Sequence, residues 1–301
     1  MIPVGLLAEF SEPAITFEVI RPKPIRPKPI TSKQSAGTIM KLQTNVFLKA
    51  IQSGKPQIGL WVSLSQGFSA EIIAGAEFDW VLIDMEHSPN DLTSVMHQLQ
   101  VFAAYGTTAI VRPQWNDPVL VKRLLDIGAP GLLFPMVQTS EEAAAAVAAT
   151  RYPPNGIRGV SGTTRANKFG RVSDYFQRID EETAVLIQAE TLSAIAQVEA
   201  LGETNGVDGV FFGPADIAAD MGFLGQPMHD AVWEKILPAA KRLMEKGIPV
   251  GTLVLDPDFA TLLIKEGFSF VACGSDTSLL SKGADALIQR MRKGQSQENG
   301  C

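Results

Sequence analysis

The chain has 301 residues, a hydrophobic fraction of 46% and a formal net charge of −6, so it is long enough to bury a large core. Its acidic residues are dispersed, which leaves no basic face for nucleic acid and no polybasic anchor for a membrane. No apolar run approaches the roughly 20 residues that cross a bilayer, and no signal-peptide pattern opens the chain. Cys273 and Cys301 form neither a disulfide framework nor a metal-ligand set. We therefore expect a cytoplasmic protein that acts on a small molecule, with no nucleic-acid or membrane partner.

The first 40 residues form a proline-rich extension that we predict to be disordered and outside the folded domain. Residues 21–25 are repeated without change at residues 26–30, and their prolines favour extended, unpacked backbone. Met40 is a candidate alternative translation start, and a basic proline-rich docking peptide is the other interpretation. The polar residues 293–301 are predicted to be a disordered tail. Residues 41–292 then form one domain.

Short apolar runs rich in β-branched and aromatic residues alternate with amphipathic stretches from residue 57 onward, as in successive βα units. Eight strands are predicted at residues 57–64, 80–86, 108–112, 131–136, 184–189, 206–213, 249–255 and 268–273. This pattern predicts an α/β fold, a (β/α)8 TIM barrel. A doubly wound sheet is the alternative, but the chain has neither a G-x-G-x-x-G element nor a P-loop.

Helices are predicted between these strands. Helix-start signals stand at Asp117 with Pro118 and at Thr139 with Glu142, where side-chain caps precede acids or proline in the first turn. Apolar residues keep helical spacing in two stretches, which are therefore predicted to cover the barrel; they are Leu92, Val95, Met96, Leu99 and Phe102, and Leu280, Ala284, Leu287, Ile288 and Met291.

Titratable side chains follow the ends of four predicted strands. His87 closes the run 83–87, Arg112 ends the third strand, and Glu190 and Asp216 follow the fifth and sixth. Because the carboxyl ends of parallel strands meet on one face, we expect these four side chains at one site. Only three histidines occur, so a histidine-rich zinc site is excluded.

Each of these residues permits a chemical role and has a simpler structural interpretation. Imidazole exchanges protons near neutrality, so His87 is the candidate base; a hydrogen bond to a loop is the alternative. Glu190 and Asp216 are hard oxygen ligands suited to Mg²⁺ or Mn²⁺, although single acids are more often solvated. Gln188 is a candidate to hold a metal-bound water. Arg112 suits an enolate or carboxylate, with a structural salt bridge as the alternative.

Two common covalent mechanisms lack their residues. All lysines of the predicted barrel lie on helices, helix ends or loops and none at a strand end, so Schiff-base chemistry has no nucleophile. There is no Gly-x-Ser-x-Gly elbow. Metal-assisted proton transfer next to a carbonyl is the remaining prediction.

Several separate motifs in one order resemble the HpcH/HpaI family of class II, metal-dependent pyruvate aldolases. The similarity runs from about residue 47 to 290 and rests on the segments 56–61, 83–87, 111–118, 151–154, 156–160, 188–191, 213–216 and 219–222. The resemblance implies a (β/α)8 barrel, a homohexamer, and reversible cleavage of 4-hydroxy-2-oxo acids, such as 4-hydroxy-2-oxoheptanedioate, into pyruvate and an aldehyde.

The resemblance also implies roles for particular residues. Glu190 and Asp216 would hold the divalent metal, with Co²⁺ a candidate besides Mg²⁺ and Mn²⁺, His87 would act as the base, and Arg112 would stabilise the enolate. Gln188, Ala215 and Asp216 would contact the pyruvyl portion of the substrate. The family also pairs its histidine with an acid that matches Asp126. A helix end should place Asp126 at the opposite rim from the His87 of its own barrel, so the pairing would need a neighbouring subunit or an irregular helix end.

Three alternatives stay open. Residues 161–164 replace a longer family segment, so the aldehyde is undetermined, and a 2-keto-3-deoxy sugar acid aldolase is the nearest alternative. Related barrels act as citrate-lyase-like acyl-CoA lyases, but the chain shows no basic patch for nucleotide phosphates. The non-enzyme alternative is a ligand-binding barrel without turnover.

Overall fold

The computed structural model describes residues 40–298 and, for residues 294–298, the backbone alone. The predicted extension at residues 1–40 lies, except for Met40, outside the described residues. The eight strands are β1 Gln57–Val62, β2 Trp80–Asp84, β3 Thr108–Arg112, β4 Gly131–Phe134, β5 Ala184–Ala189, β6 Gly209–Phe212, β7 Val250–Leu253 and β8 Phe270–Ser275. They pair in parallel in chain order, and β8 closes on β1. The predicted (β/α)8 barrel is confirmed.

Helices connect the strands. They are α1 Val46–Gln52, α2 Gly67–Ala74, α3 Leu92–Tyr105, α4 Pro118–Asp126, α5 Ser140–Thr150, α6 Tyr175–Glu182, α7 Leu192–Ala196, α8 Val198–Gly202, α9 Pro214–Asp220, α10 Asp230–Glu245, α11 Pro257–Lys265 and α12 Asp276–Glu298. Both predicted helix starts are confirmed. Asp117 caps α4 through the N–H groups of Val119 and Leu120, and Thr139 forms a capping box with Glu142 on α5. Among the described helices, none is long and apolar enough to cross a membrane.

The strands separate two apolar layers because alternate side chains point to opposite faces. Trp80 and Leu82 of β2 belong to the barrel interior, whereas Val81 and Ile83 pack outward beneath the helices. The interior parity continues to Asp84 on β2 and Arg112 on β3, which stand opposite each other in the strand register. The same alternation that fills the barrel therefore points these charged side chains into its carboxyl end.

Helix α1 closes the amino-terminal end of the barrel. Phe47 is 0% exposed, and its ring centroid lies 5.4 Å from that of Trp80 and 5.7 Å from that of Phe270, the first residues of β2 and β8. This end is therefore filled by side chains, and the open end is the one where the strands finish.

We predict that Phe47→Ala lowers the free energy of unfolding by about 3–5 kcal/mol, because it leaves a cavity in a closed apolar layer. Urea unfolding followed by tryptophan fluorescence measures the loss. Val46→Ala is the matched control, since Val46 is the preceding residue on α1 and is 57% exposed. Equal stabilities of the two variants would contradict a closing role for Phe47.

The carboxyl-terminal helix departs from two predictions. The helix α12 continues to Glu298, six residues beyond the predicted end of the domain. Its apolar stripe was predicted to cover the barrel. Instead Leu280 and Leu287 are each 64% exposed and Met291 58%. Helical spacing shows which side chains share a face and does not show which surface covers that face.

Candidate active site

A buried ion pair ties β2 to β3 at the open end of the barrel. Nε and Nη2 of Arg112 donate to Oδ1 and Oδ2 of Asp84 at 2.9 and 2.8 Å, and Nε1 of Trp61 donates to Oδ2 of Asp84 at 3.2 Å. The guanidinium carbon of Arg112 lies 4.9 Å from the Trp61 ring centroid. Nη1 of Arg112 also lies 2.8 Å from Oε2 of Glu86. The salt bridge considered for Arg112 is therefore present, and it fixes the orientation of a guanidinium that also lines the open cavity.

The ion pair with Arg112 favours the charged form of Asp84. Burial raises the pKa of Asp84, but the hydrogen bonds and charge of Arg112, with the N–H groups of Glu86 and Trp61, outweigh it and lower the pKa below its ordinary value. Because the folded pKa is lower than the unfolded one, the pair contributes stability above the unfolded pKa and loses it as the pH falls through the folded pKa.

We predict that Asp84→Asn lowers the free energy of unfolding at neutral pH by about 3 kcal/mol or more, because it leaves the buried Arg112 without its bidentate partner. Urea unfolding at stepped pH measures this, and the gap from wild type should narrow on acidification towards the ordinary carboxyl range. Asp174→Asn is the control, because the Asp174–Arg178 ion pair is exposed on α6 and should change stability by well under about 1 kcal/mol. A gap that stays constant with pH would contradict the linkage.

His87 follows β2 in the loop and faces the cavity. Its side chain is 67% exposed, and Nε2 lies 3.9 Å from Oε2 of Glu86. The strand itself ends at Asp84, two residues earlier than predicted, because the carboxylate of Asp84 accepts the N–H groups of Glu86 and His87 and turns the chain. This turn places His87 at the mouth of the barrel, where a substrate atom has access to the imidazole.

Glu190 lies deep in the same end of the barrel. It is 2% exposed, its Oε1 accepts the N–H of Met136 at 2.6 Å, and its Oε2 accepts Nε2 of Gln188 at 2.5 Å. A Cβ atom at Gly213 would lie 2.8 Å from Oε2 of Glu190. Glycine at this position therefore leaves the space that the carboxylate occupies where β6 passes into α9.

The surroundings of Glu190 carry an excess of negative charge. Burial, followed by the neighbouring charges of Asp216 and Glu86, raises the pKa of Glu190 to about 8, against the lowering effects of the Met136 hydrogen bond and the charge of Arg112. Burial likewise raises the pKa of Glu86. A divalent cation would relieve this excess and favour the charged form of both carboxyl groups.

The residues at this position fit a hard divalent cation. Oε1 of Gln188 is buried without a hydrogen-bond partner. An oxygen acceptor is therefore left unused on the side chain that donates to Glu190. Among the described residues, no group of three or more His, Cys, Asp or Glu side chains forms a complete metal-binding set. Mg²⁺ commonly takes one or two carboxylates and completes its shell with water and substrate oxygens, and Glu190 with Asp216 supplies that number.

A cavity of about 560 Å³ joins these groups at the carboxyl ends of the strands. Its polar lining residues include His87, Arg112, Gln188 and Asp216, with Ala215 next to Asp216 in the chain, and its apolar lining residues include Phe211, Met228 and Leu255. The structure thus brings His87, Arg112, Gln188, Ala215 and Asp216 to one mouth, with Glu190 beneath it. The arrangement suits a small molecule with an anionic end and a less polar remainder.

Asp126 is the predicted site residue that the structure does not bring to this mouth. It ends α4, just before β4 begins, so it lies at the amino-terminal rim, opposite His87. Its Oδ1 accepts Nη2 of Arg158 at 2.8 Å. Within one chain, therefore, Asp126 and His87 do not pair. The helix α4 ends at Asp126 with Ile127 as a helical C-cap, so its end is not irregular.

Asp84 and Glu86 belong to the run 83–87 that marked the end of β2 as a candidate site, but neither acid was predicted to have a role, and Trp61 was not predicted at the site. The side chains of Asp84 and Trp61 have the parity of the inward-facing residues of their strands. In β2 this alternation is visible in the sequence at Trp80, Leu82 and Asp84. The contact of Glu86 with Arg112 had no such signal, because it depends on how the loop after β2 turns back over β3.

A parallel eight-stranded barrel with carboxyl groups, an imidazole and a fixed guanidinium around a cavity at its carboxyl end is typical of barrel enzymes that act on small molecules. Residues 57–283 match the HpcH/HpaI aldolase/citrate lyase family. A pyruvate aldolase of Rhizobium etli is 51% identical over 251 residues, which cover 83% of this chain and 99% of that protein. The chain belongs to the HpcH/HpaI aldolase/citrate lyase family, and it is a carbon–carbon lyase of the aldolase type.

Two further relatives agree with this placement. A 4-hydroxy-2-oxo-heptane-1,7-dioate aldolase of Salmonella arizonae is 49% identical over 247 residues, which cover 82% of this chain and 94% of that protein. The crystal structure of an HpcH/HpaI aldolase/citrate lyase family protein from Burkholderia cenocepacia superposes with a TM-score of 0.78 at 37% identity, covering 83% of this chain and all of that one. The similarity therefore extends over nearly the whole length of these proteins.

Proposed function

We propose that this protein is a divalent-metal-dependent aldolase that reversibly cleaves 4-hydroxy-2-oxo acids into pyruvate and an aldehyde. The observation that carries the proposal is the buried Glu190 carboxyl beside Asp216 and Arg112, under a cavity that His87 also lines. The names of the relatives support 4-hydroxy-2-oxoheptanedioate as the first substrate to test. Free Cys273 accords with the proposed cytoplasmic location.

Glu190 and Asp216 would hold the metal, with Mg²⁺ or Mn²⁺ the leading candidates and Co²⁺ a further one. When bound, such a cation supplies Lewis-acid polarisation of the 2-oxo acid and stabilises the developing negative charge. Gln188, Ala215 and Asp216 line the polar side of the cavity, where they would contact the pyruvyl portion of the substrate.

Arg112 is the proposed electrostatic partner of the enolate. Asp84 holds one edge of its guanidinium through two hydrogen bonds, so the group needs no reorientation when negative charge develops in the cavity. A lysine ammonium would lack this fork and its planar fit to a carboxylate or enolate. The salt bridge thus serves the proposed chemistry by positioning the cation.

His87 is the proposed base. Its imidazole would accept the proton of the C4 hydroxyl, directly or through one water, while the electrons of the C3–C4 bond pass into the pyruvate enolate and C4 becomes the aldehyde carbon. Return of a proton to C3 then gives pyruvate. The exposed position of His87 at the cavity mouth suits a base that exchanges its proton with solvent between turnovers.

A homo-oligomer, with a hexamer by resemblance, is part of the proposal. The exposed apolar stripe on α12 is a surface that a second copy would cover. Asp126 lies at the opposite rim from the His87 of its own chain, so the proposed pairing of these residues would join neighbouring subunits. Size-exclusion chromatography with light scattering measures the assembly, and a monomer would contradict both statements.

We predict that the enzyme releases pyruvate from 4-hydroxy-2-oxoheptanedioate, that EDTA abolishes the release, and that Mg²⁺, Mn²⁺ or Co²⁺ restores it. Coupling pyruvate to lactate dehydrogenase and following NADH measures this rate, with the coupling enzyme checked separately in EDTA. Cleavage that persists after exhaustive chelation would contradict metal dependence. Tight binding of the oxo acid without pyruvate release would favour a barrel without turnover.

A further inference from the structure

A second cavity, of about 300 Å³, opens at the other end of the barrel. Its walls include Thr108, Pro130 and Thr183, which stand at the amino-terminal ends of β3, β4 and β5. It shares no lining residue with the cavity at the strand carboxyl ends. Its volume reaches the lower end of the range of small-molecule sites in proteins, and the proposed function does not use it.

The walls of this amino-terminal cavity are apolar with an excess of cations. Leu42, Val46 and Ile179 contribute apolar surface that is not buried, and the charged residues are four cations and one carboxylate, namely Lys41, Arg158, Arg165, Lys168 and Glu182. The carboxylate is engaged at the edge, because Oε2 of Glu182 accepts the N–H of Asn45 at 2.6 Å and Oε1 lies 3.6 Å from Nη2 of Arg178. Positive charge therefore predominates inside the cavity.

Arg165 is a cation without a matching anion. Its Nη1 donates to the carbonyl of Ile127 at 2.6 Å and its Nη2 to that of Leu99 at 3.5 Å. Among the described residues no carboxylate pairs with Arg165, and burial lowers the pKa of its guanidinium. The carbonyl at the end of α4 and one in the middle of α3 use part of a group that carries five N–H donors, so the remaining donors are left for another acceptor.

The neighbouring cations differ in their pairing. Arg158 is 2% exposed and balanced by Asp126, but its Nε is buried without an acceptor. Lys168 has no carboxylate within ion-pair distance among residues 40–293. Gly128 leaves the guanidinium of Arg165 room beside α4, since a Cβ there would lie 2.7 Å from Nη1. The cavity thus holds one buried donor that the chain does not satisfy, Nε of Arg158, beside the partly exposed cations Arg165 and Lys168.

We propose that this amino-terminal cavity binds a small organic carboxylate with an apolar body. The carboxylate pairs with Arg165 and Lys168, because a planar guanidinium fork matches the two oxygens of a carboxylate. The apolar body fills the space against Leu42, Val46 and Ile179 and is removed from water there. The site shares no lining residue with the cavity of the proposed aldolase chemistry, although Arg158 in its wall holds the Asp126 that is proposed to pair with a neighbouring subunit.

Calorimetric titration of the full-length protein with benzoate, in EDTA, tests this proposal, with benzamide as the neutral molecule of the same shape. We expect one benzoate per chain and an affinity for benzamide at least about 10-fold weaker, because the charge-assisted hydrogen bonds are lost. Equal affinities for the two molecules, or no binding of benzoate, would overturn the proposal.

Variants and crystals locate the site. Lys168→Gln and Arg165→Gln should each weaken benzoate binding by about 10-fold, while Arg123→Gln, on the exposed face of α4 outside the cavity, should leave it unchanged. Lys168→Gln leaves the hydrogen bonds from Arg165 to the two carbonyls in place. It therefore tests the contribution of positive charge to benzoate binding, whatever Arg165→Gln does to the stability of the fold. Crystals soaked with 4-bromobenzoate should show anomalous bromine density beside Ile179. Bromine density only in the His87 cavity, or wild-type affinity in Lys168→Gln, would contradict the assignment.

Discussion

His87→Ala should lower kcat for pyruvate release by roughly 10²–10⁴-fold, because it removes the group that accepts the C4 hydroxyl proton. The imidazole stands at the mouth of the cavity that Arg112 and Asp216 also line, and its side chain makes few contacts that support the fold. Steady-state rates across the pH range measure the effect, and the limb of the profile that reports the base should disappear.

The control for this variant is His97→Ala. His97 lies on the exposed side of α3, outside the cavity, so this variant should keep the wild-type rate and pH profile. Thermal unfolding of His87→Ala should stay near that of the wild type. A pH–rate profile of unchanged shape in His87→Ala would remove this residue from the role of base and return it to the simpler interpretation of a loop histidine.

Glu190→Gln should lower kcat/KM by about 10²–10³-fold, because the amide supplies no charge to a divalent cation and the several kcal/mol of Lewis-acid stabilisation are lost. The same substitution should not destabilise the metal-free protein at neutral pH. Burial raises the pKa of Glu190 to about 8, so the charged carboxylate opposes folding as the pH rises above its ordinary range, and a neutral amide removes that penalty.

Two measurements separate these effects. Melting temperatures in EDTA compare the metal-free proteins, and the rise in melting temperature with added Mg²⁺ or Mn²⁺ reports binding to the folded state. We expect Glu190→Gln to abolish the metal-dependent rise while leaving the EDTA value equal or higher. Glu199→Gln is the control, since Glu199 pairs with Arg242 on the outer helices. A full metal response in Glu190→Gln would contradict its role as a ligand.

Strand order and strand parity are visible in the sequence. Alternation along β2 and β3 points Asp84 and Arg112 inward, and parallel strands must finish on one face, so the meeting of His87, Arg112 and Asp216 at one mouth follows from local patterns. Helix starts at Asp117 and Thr139 follow for the same reason, because a cap depends on residues two or three apart.

Pairings and burial that depend on contacts between distant segments are visible only in the tertiary structure. Only the closed barrel shows that Asp84 and Glu86 both hold Arg112, that Asp126 faces Arg158 and not the His87 of its own chain, and that the stripe on α12 does not cover its own barrel. The barrel, the use of its carboxyl end and most of the residues at the cavity mouth could be predicted from the sequence, since these follow from periodicity within single segments. Pairing, burial and the raised pKa of Glu190 depend on which side chains meet in space, and periodicity along one segment does not contain that information.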